Sequence, residues 1–167
     1  MIESDRLVQL EKNIRRLRNQ ISGKEDILIT IAPEEKVRIK QQIDDLRSEL
    51  LPFEEEYWSI FARHSNSLLQ ISEDDAEIVV SEIISQIKVI EVSQTEKYSR
   101  EVLTLLKEIK EQLSQPETAA EAKLKGMISS IPPFIGVSYE AELDTERFFQ
   151  KYFPTFRRLI SSAVKKS

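Results

Sequence analysis

The 167-residue chain has charged residues at 32% of its positions, only three glycines and no cysteine. This composition is typical of long helices with large exposed surfaces, and the length suits one medium domain or a coiled coil followed by a small domain. The lack of cysteine excludes disulfides, thiolate metal sites and cysteine nucleophiles. The net charge is −5, with acids and bases interleaved. Nucleic-acid binders usually segregate their basic residues, so we expect no nucleic-acid partner.

Two series of apolar residues with heptad spacing dominate the first 60 positions. The first has one miss, at Lys24, and the second has none. Their members are Leu7, Leu10, Ile14, Leu17, Ile21, Leu28 and Ile31, then Ile39, Ile43, Leu46, Leu50, Phe53, Tyr57 and Ile60. A stripe of about two residues in seven is the seam of a coiled coil. Because Pro33 leaves only a short connection, the equal seams predict an antiparallel coiled-coil helical hairpin over residues 1–64.

Interruptions in the pattern give the expected boundaries. Gly23 should weaken the first helix, since an interior glycine costs about 1 kcal/mol relative to alanine. Pro52 falls within the second seam, where we expect a kink rather than a new helix. Ser72 has the position of an N-cap before an acidic first turn. It opens a helical region over residues 72–167, whose first helix has a wide apolar face.

The rest of this region is predicted to hold further helices and one strand. A helix should start at Ser93 or Thr95 and end before Pro116, and a shorter helix should follow over residues 117–129. Apolar and polar residues then alternate through Val137, Tyr139, Ala141 and Leu143, which predicts a strand over residues 134–143. A lone strand must pair with a copy in another subunit, a partner chain, or a disguised strand at residues 86–92.

The last helix is amphipathic and aromatic. Asp144 or Thr145 should cap it, and Pro154 should bend it. Its apolar face with trailing basic residues fits a core or interface helix, and also a helix lying on a membrane. We favour the first, since nearby acids would face an anionic membrane unfavourably. The predicted interface residues are Leu10, Leu17, Ile43, Leu46, Val137, Tyr139, Leu143, Phe149 and Phe153.

No residue pattern indicates catalysis, a cofactor or a metal. His64 is the only histidine, and its neighbours supply neither a nucleophile nor further ligands. The acidic runs 54–56 and 73–75 lie at expected helix starts, where helix-dipole compensation explains them. A small basic patch at Arg15, Arg16 and Arg18 is best explained as a solvated helix surface. We therefore expect a protein that is not an enzyme.

Two segments resemble a known class of proteins. PEEKVRIKQQIDDLRSELLPFEEEYW, at residues 33–58, resembles coiled-coil segments of bacterial, especially cyanobacterial, conflict and signalling proteins. AKLKGMISSIPPFIGVSYEAELDTERFFQKYFPTFRRLI, at residues 122–160, resembles tails of the same class. In that class such segments accompany effector-associated modules, caspase-like peptidases or NACHT-type ATPases. The resemblance implies an adaptor in a prokaryotic immunity or programmed-death-like system, and it supplies no catalytic residues.

Together, these patterns predict a mainly α protein with a non-catalytic role in protein–protein interaction and oligomerisation. The expected partners are proteins, including copies of this chain and an effector, NACHT or caspase-like protein. The alternative is a membrane-perturbing helical bundle acting through its aromatic C-terminal helix. The chain begins without an apolar signal segment and has no stretch of about 20 apolar residues, so we expect a cytoplasmic protein.

Overall fold

The fold is mainly helical. The computed structural model describes the backbone of residues 2–166 and the side chains of residues 4–165. Within these residues there are nine helices and no strand. The helices are α1 (Ile2–Thr30), α2 (Pro33–Arg63), α3 (Ser65–Leu68), α4 (Glu73–Ser93), α5 (Arg100–Leu113), α6 (Ala120–Ile128), α7 (Ile131–Glu140), α8 (Thr145–Tyr152) and α9 (Pro154–Lys166). The chain divides into two compact units, Met1–Tyr57 and Trp58–Ser167.

The first unit is a long helical hairpin. Polar contacts join the start of α1 to the far part of α2, and the end of α1 to the near part. Arg6 Nε donates to Glu56 Oε2 at 2.6 Å, and Lys24 Nζ donates to Gln42 Oε1 at 2.8 Å. This order makes the two helices antiparallel, as the two equal seams predicted.

Neither interruption in the hairpin ends a helix, as the sequence predicted for Pro52. Helix α1 continues through Gly23, and α2 continues through Pro52 without a new helix starting there. Buried seam residues explain this continuity, because a buried leucine or isoleucine contributes about 1.5–3 kcal/mol, more than an interior glycine costs. The buried residues of the two seams in this unit are Leu7, Leu10, Leu17, Ile21, Ile39, Leu50 and Tyr57.

Helix α4 organises the second unit. It packs against α5, α6, α8 and α9. Its inward side is fully apolar and buried, through Ala76, Val79, Val80, Ile83, Ile87 and Ile90. Ser72 caps it as predicted, with its hydroxyl oxygen accepting from the Asp75 amide at 3.2 Å.

Acidic side chains of α4 also cap two other helices. The Glu73 carboxylate accepts from the backbone amides of Ala120 and Glu121, at 2.8 and 3.1 Å, at the start of α6. The Glu82 carboxylate accepts from the amide and the hydroxyl of Thr155, at 3.0 and 2.7 Å, at the start of α9. Both carboxylates neutralise the positive end of a helix dipole. The acidic run at residues 73–75 thus has a structural role across helices, besides its local one.

The predicted strand over residues 134–143 is wrong. Residues 131–140 form α7, and its buried residues are Ile131, Phe134, Ile135 and Ser138. Their spacing of three, one and three is helical, whereas the alternating residues that predicted a strand are half-buried or, for Ala141, exposed. Pro132 and Pro133 occupy the first turn of this helix, where proline needs no hydrogen-bond partner for its nitrogen. They start a helix instead of bounding a strand.

Two helix boundaries also differ from the prediction. Helix α5 starts at Arg100, because the Ser99 hydroxyl caps the Val102 amide at 3.2 Å, and not at Ser93 or Thr95. The expected last helix is capped by Asp144 but is divided in two at Phe153 and Pro154, since proline cannot donate the hydrogen bond that would continue α8.

Candidate interaction surfaces

The predicted seam residues of the hairpin differ in exposure. Leu10 and Leu17 are fully buried within the chain. Ile43 and Leu46 are half-buried. A partly buried ion pair lies beside the seam, between the half-buried Arg18 guanidinium and the buried Glu54 carboxylate. Arg18 therefore faces α2, and it does not extend the exposed basic patch at Arg15 and Arg16.

The predicted strand residues do not form a common apolar surface. Val137 and Tyr139 are half-buried on α7, and Leu143 is half-buried in the turn before α8. The Leu143 amide donates to the Ser138 carbonyl oxygen at 2.8 Å, which closes the end of α7. The backbone groups of α7 form hydrogen bonds within the helix. This segment therefore offers no strand edge with which a strand of another chain could pair.

Phe149 and Phe153 lie in an aromatic cluster of the second unit, and both are buried. The Phe149 ring is stacked on Phe153 at 6.2 Å and meets Trp58 edge-on at 5.8 Å between centroids. Rings at these separations and tilts add about 0.5–1.5 kcal/mol per pair beyond the burial of their area. Trp58 also stacks on Phe156, at 6.2 Å. The aromatic face of the C-terminal segment is thus the core of this unit.

A cleft of about 430 Å³ opens beside two tyrosines of the second unit. It is lined by the segment before α5, the turn after α7 and one side of α8. The Tyr98 hydroxyl donates to the Tyr152 hydroxyl oxygen at 2.9 Å. Lys97 and Lys151 place their ammonium groups 6.0 and 5.2 Å from the Tyr98 and Tyr152 ring centroids. Glu142 stands at its rim with a left-handed backbone, at φ 59°.

The tyrosine pair beside this cleft has a structural role. Burial raises the pKa of Tyr98 well above its usual range, and its hydrogen bond to Tyr152 raises it further. The Tyr98 hydroxyl therefore stays protonated at neutral pH, and its hydrogen bond to Tyr152 holds α8 against the segment before α5. The sequence reading missed this pair because the two tyrosines lie 54 positions apart.

The tip of the hairpin exposes large apolar side chains. Ile29 and Val37 are 81% and 76% exposed, and Ile27 is also exposed. Ile29 lies in the last turn of α1 and Val37 in the second turn of α2, so all three are near the connection at residues 31–32. The seam residue Leu28, by contrast, is half-buried. We call these three exposed side chains, Ile27, Ile29 and Val37, the apolar tip of the hairpin.

A second exposed apolar surface lies on the outer side of α4. Ile78 and Val92 are 62% and 86% exposed, and Val89 is exposed as well. Exposed Ser81 and Ser85 lie between them. The spacing of three, four, four and three places all five on one side of the helix. The sequence reading treated α4 only as a buried helix, because the two serines interrupt the exposed apolar series.

The remaining candidates do not assemble into a reactive site. His64 precedes α3, and its carbonyl oxygen accepts from the amides of Ser67 and Leu68 at 3.1 and 2.9 Å. Nowhere in the described part of the chain do three histidine, aspartate or glutamate side chains converge as a metal site would require. No helix among residues 2–166 is both long enough and apolar enough to cross a membrane.

Comparison of the chain with known protein families, with curated proteins and with solved structures gave no match in any of the three.

Proposed function

We propose that this protein is a non-catalytic interaction module, an adaptor that binds a protein partner through the apolar tip of its coiled-coil hairpin and associates with copies of itself. The observation that carries the proposal is the exposure of Ile29 and Val37. Neither side chain is needed for the hairpin interior, which is built from the seam residues. Neighbouring exposed apolar side chains are characteristic of binding surfaces, and both residues lie close to the connection between α1 and α2.

The charges around the tip indicate the chemistry of the partner. Exposed charges of both signs surround it: Asp26 and Glu34 are acidic, whereas Lys40 and Arg38 are basic, and Arg38 donates to Glu35 at 2.8 Å. A partner surface with an apolar pocket and a rim of both charge signs would complement this arrangement. Without an excess of basic residues the tip has no electrostatic attraction to an anionic membrane, which favours a protein over a lipid surface.

The aromatic core of the second unit also supports an adaptor over a membrane-perturbing bundle. Phe149, Phe153 and Phe156 are buried and in contact with each other or with Trp58. A membrane mechanism through this segment would first have to remove these rings from the core. Truncating one buried phenylalanine costs about 3–5 kcal/mol in other proteins, so releasing several at once would be strongly unfavourable.

The setting we propose for this adaptor is a prokaryotic immunity or programmed-death-like system, with an effector, NACHT or caspase-like protein as partner. Its support is the resemblance of residues 33–58 and 122–160 to segments of that protein class. The absence of a converging set of reactive side chains in the described residues is compatible with such a role, because an adaptor needs only surfaces.

Photo-crosslinking tests the proposed partner surface. A benzoyl-phenylalanine placed at Ile29 or at Val37 should crosslink one protein specifically in a lysate of the source organism. The same group at Val8, an exposed apolar position near the other end of α1, is the matched control and should not.

The captured protein is then purified, and its affinity for the full chain is measured. Ile29→Lys should weaken binding by at least about ten-fold, since an interface anchor commonly contributes more than 1 kcal/mol. Val8→Lys should leave the affinity unchanged. Equal crosslinking from both ends of the hairpin, or equal affinities of the two variants, would overturn the proposed tip.

A further inference from the structure

The outer surface of α4 carries a narrow line of uncharged residues, three of them apolar and two of them serines. We call this line the α4 stripe, and its members are Ile78, Ser81, Ser85, Val89 and Val92. It spans about 21 Å at 1.5 Å per residue. Glu77 and Lys88, both exposed, lie along one border, and Glu82, which caps α9, lies along the other. The inner side of α4 already builds the core, so the stripe is not required for packing within the chain.

The order of residues in the α4 stripe is symmetric about its centre. Ile78 and Val92 each lie seven positions from Ser85, and Ser81 and Val89 each lie four positions from it. A twofold interface requires that if one residue contacts another, the reverse contact also occurs. Two antiparallel α4 helices crossing at Ser85 satisfy this condition, with Ile78 against Val92 and Ser81 against Val89. The small serines at the crossing let the two backbones approach closely.

The charges beside the stripe also favour a second copy in antiparallel orientation. Glu77 and Lys88 lie on the same border, and antiparallel packing about a twofold axis brings equal borders together. Lys88 of one copy then lies within reach of Glu77 of the other. A parallel pairing would instead place the acidic first turns of both helices, residues 73–75, side by side, and like charges in contact are destabilising.

We infer that this chain forms a twofold dimer through antiparallel packing of the α4 stripe. The inference deepens the self-association in the proposed function and uses a surface other than the hairpin tip. One helix pair of this length is smaller than a standard-size interface, so the dimer is a weak, reversible one. In the dimer, the Ile78 side chain of each copy is covered by the Val92 side chain of the other copy.

Cysteine crosslinking tests the register directly, because the chain has no cysteine of its own. Packed helices have axes about 8–10 Å apart, which brings facing Cα atoms to within about 3–5 Å of each other at the crossing. This distance overlaps the range of Cα–Cα distances found in disulfides. Ser85→Cys should therefore form a disulfide-linked dimer under mild oxidation. The two copies of Ser81 would be offset by about 12 Å along the axis, so Ser81→Cys alone should not crosslink.

A mixture of Ser81→Cys and Val89→Cys chains should give the mixed disulfide. Equal crosslinking of Ser81→Cys and Ser85→Cys would mean random collision or a parallel pairing, and it would overturn the inference. So would a Ser85→Cys chain that stays monomeric throughout the oxidation.

Light scattering of the full chain over a range of concentrations gives a second readout. The wild-type mass should rise toward that of a dimer, and Val92→Glu should hold it at the monomer value up to at least ten-fold higher concentration. Ile29→Lys, at the hairpin tip, should leave the dimer intact. If Ile29→Lys no longer binds the partner but its measured mass still rises with concentration, the result supports two separate surfaces, one for the partner and one for the dimer. A monomeric wild type that still binds its partner through the tip would overturn the dimer alone.

Discussion

Truncation of Phe149 tests whether the aromatic C-terminal segment is the core of the second unit. Five other rings surround the buried Phe149 ring, and their centroids lie between 5.8 and 6.3 Å from its centroid. They belong to Trp58, Phe134, Phe148, Phe153 and Phe156. Replacing Phe149 by alanine leaves a cavity that these rings cannot fill, because each is held by its own contacts in the cluster. The expected loss is about 3–5 kcal/mol in the free energy of unfolding.

This loss is large relative to the stability of such a unit. A unit of about 110 residues is expected to have an unfolding free energy of about 5–15 kcal/mol. With a urea dependence of about 1.5 kcal/mol/M, the midpoint of unfolding should fall by about 2–3 M. The corresponding decrease in melting temperature is about 12–20 °C.

Trp58 is the only tryptophan of the chain and lies within this cluster, so its fluorescence reports on the unit directly. Urea unfolding of wild type and Phe149→Ala followed by tryptophan emission is the assay, with Val92→Ala as the control. Val92 is exposed, so its truncation should change the free energy of unfolding by less than about 0.5 kcal/mol. A midpoint shift below about 0.5 M for Phe149→Ala, or equal shifts for the two variants, would refute the assignment of this segment to the core.

Three further predictions concern the ion pair, an acidic cap and the glycines. Arg18→Ala should destabilise the hairpin by about 3 kcal/mol, because it removes the guanidinium facing a buried carboxylate. Arg38→Ala, in an exposed pair, should cost less than about 0.5 kcal/mol, with both read by thermal melting of helical circular dichroism. Hydrogen bonds from two backbone amides lower the pKa of the Glu73 carboxyl below its ordinary value of 4.5. The stability that Glu73 contributes is therefore present when the pH is above this ordinary pKa, and it is lost as the pH falls through the lower pKa of the folded state. The melting temperature should fall more steeply with acid in the wild type than in Glu73→Gln. In Gly136→Ala the new Cβ meets no atom within 4 Å, so the variant should be more stable by about 0.5–1 kcal/mol. In Gly126→Ala the new Cβ would lie 2.7 Å from the side-chain nitrogen of Gln112, so the gain in stability should be smaller. Urea titration measures both.

The parts of the fold that could be predicted are those in which one local signal determines the outcome. The heptad series predicted a helical hairpin. Ser72 was predicted as a cap, and the cap of α8 was narrowed to Asp144 or Thr145, because capping depends on a few adjacent residues. The start of α5 was placed too early, since Ser93, Thr95 and Ser99 are all suitable caps. Which one is used depends on tertiary contacts, and Tyr98, just before Ser99, hydrogen-bonds to a distant tyrosine.

Helix α7 shows why the strand prediction was wrong. The alternation of Val137, Tyr139 and Leu143 with polar residues is real, but the buried side of this segment starts earlier and includes Ser138. A serine in the core does not count as apolar in a sequence pattern, so the helical series from Ile131 to Ser138 was hidden. The caps that Glu73 and Glu82 provide to other helices could not be predicted either, because each joins residues 47 or more positions apart.

The two exposed apolar surfaces have a common physical origin that bears on function. In both the hairpin and α4, a helix has one apolar side that the chain buries and further apolar residues that it leaves in water. Burial of the first set stabilises the fold, whereas the second set lowers solubility and adds nothing to packing within the chain. Ile29, Val37 and Val92 could each be a charged residue at no cost to the core. Under the proposed function they make contacts outside the chain. Because the tip and the stripe are separate residues on separate helices, we expect substitutions to abolish partner binding and self-association independently.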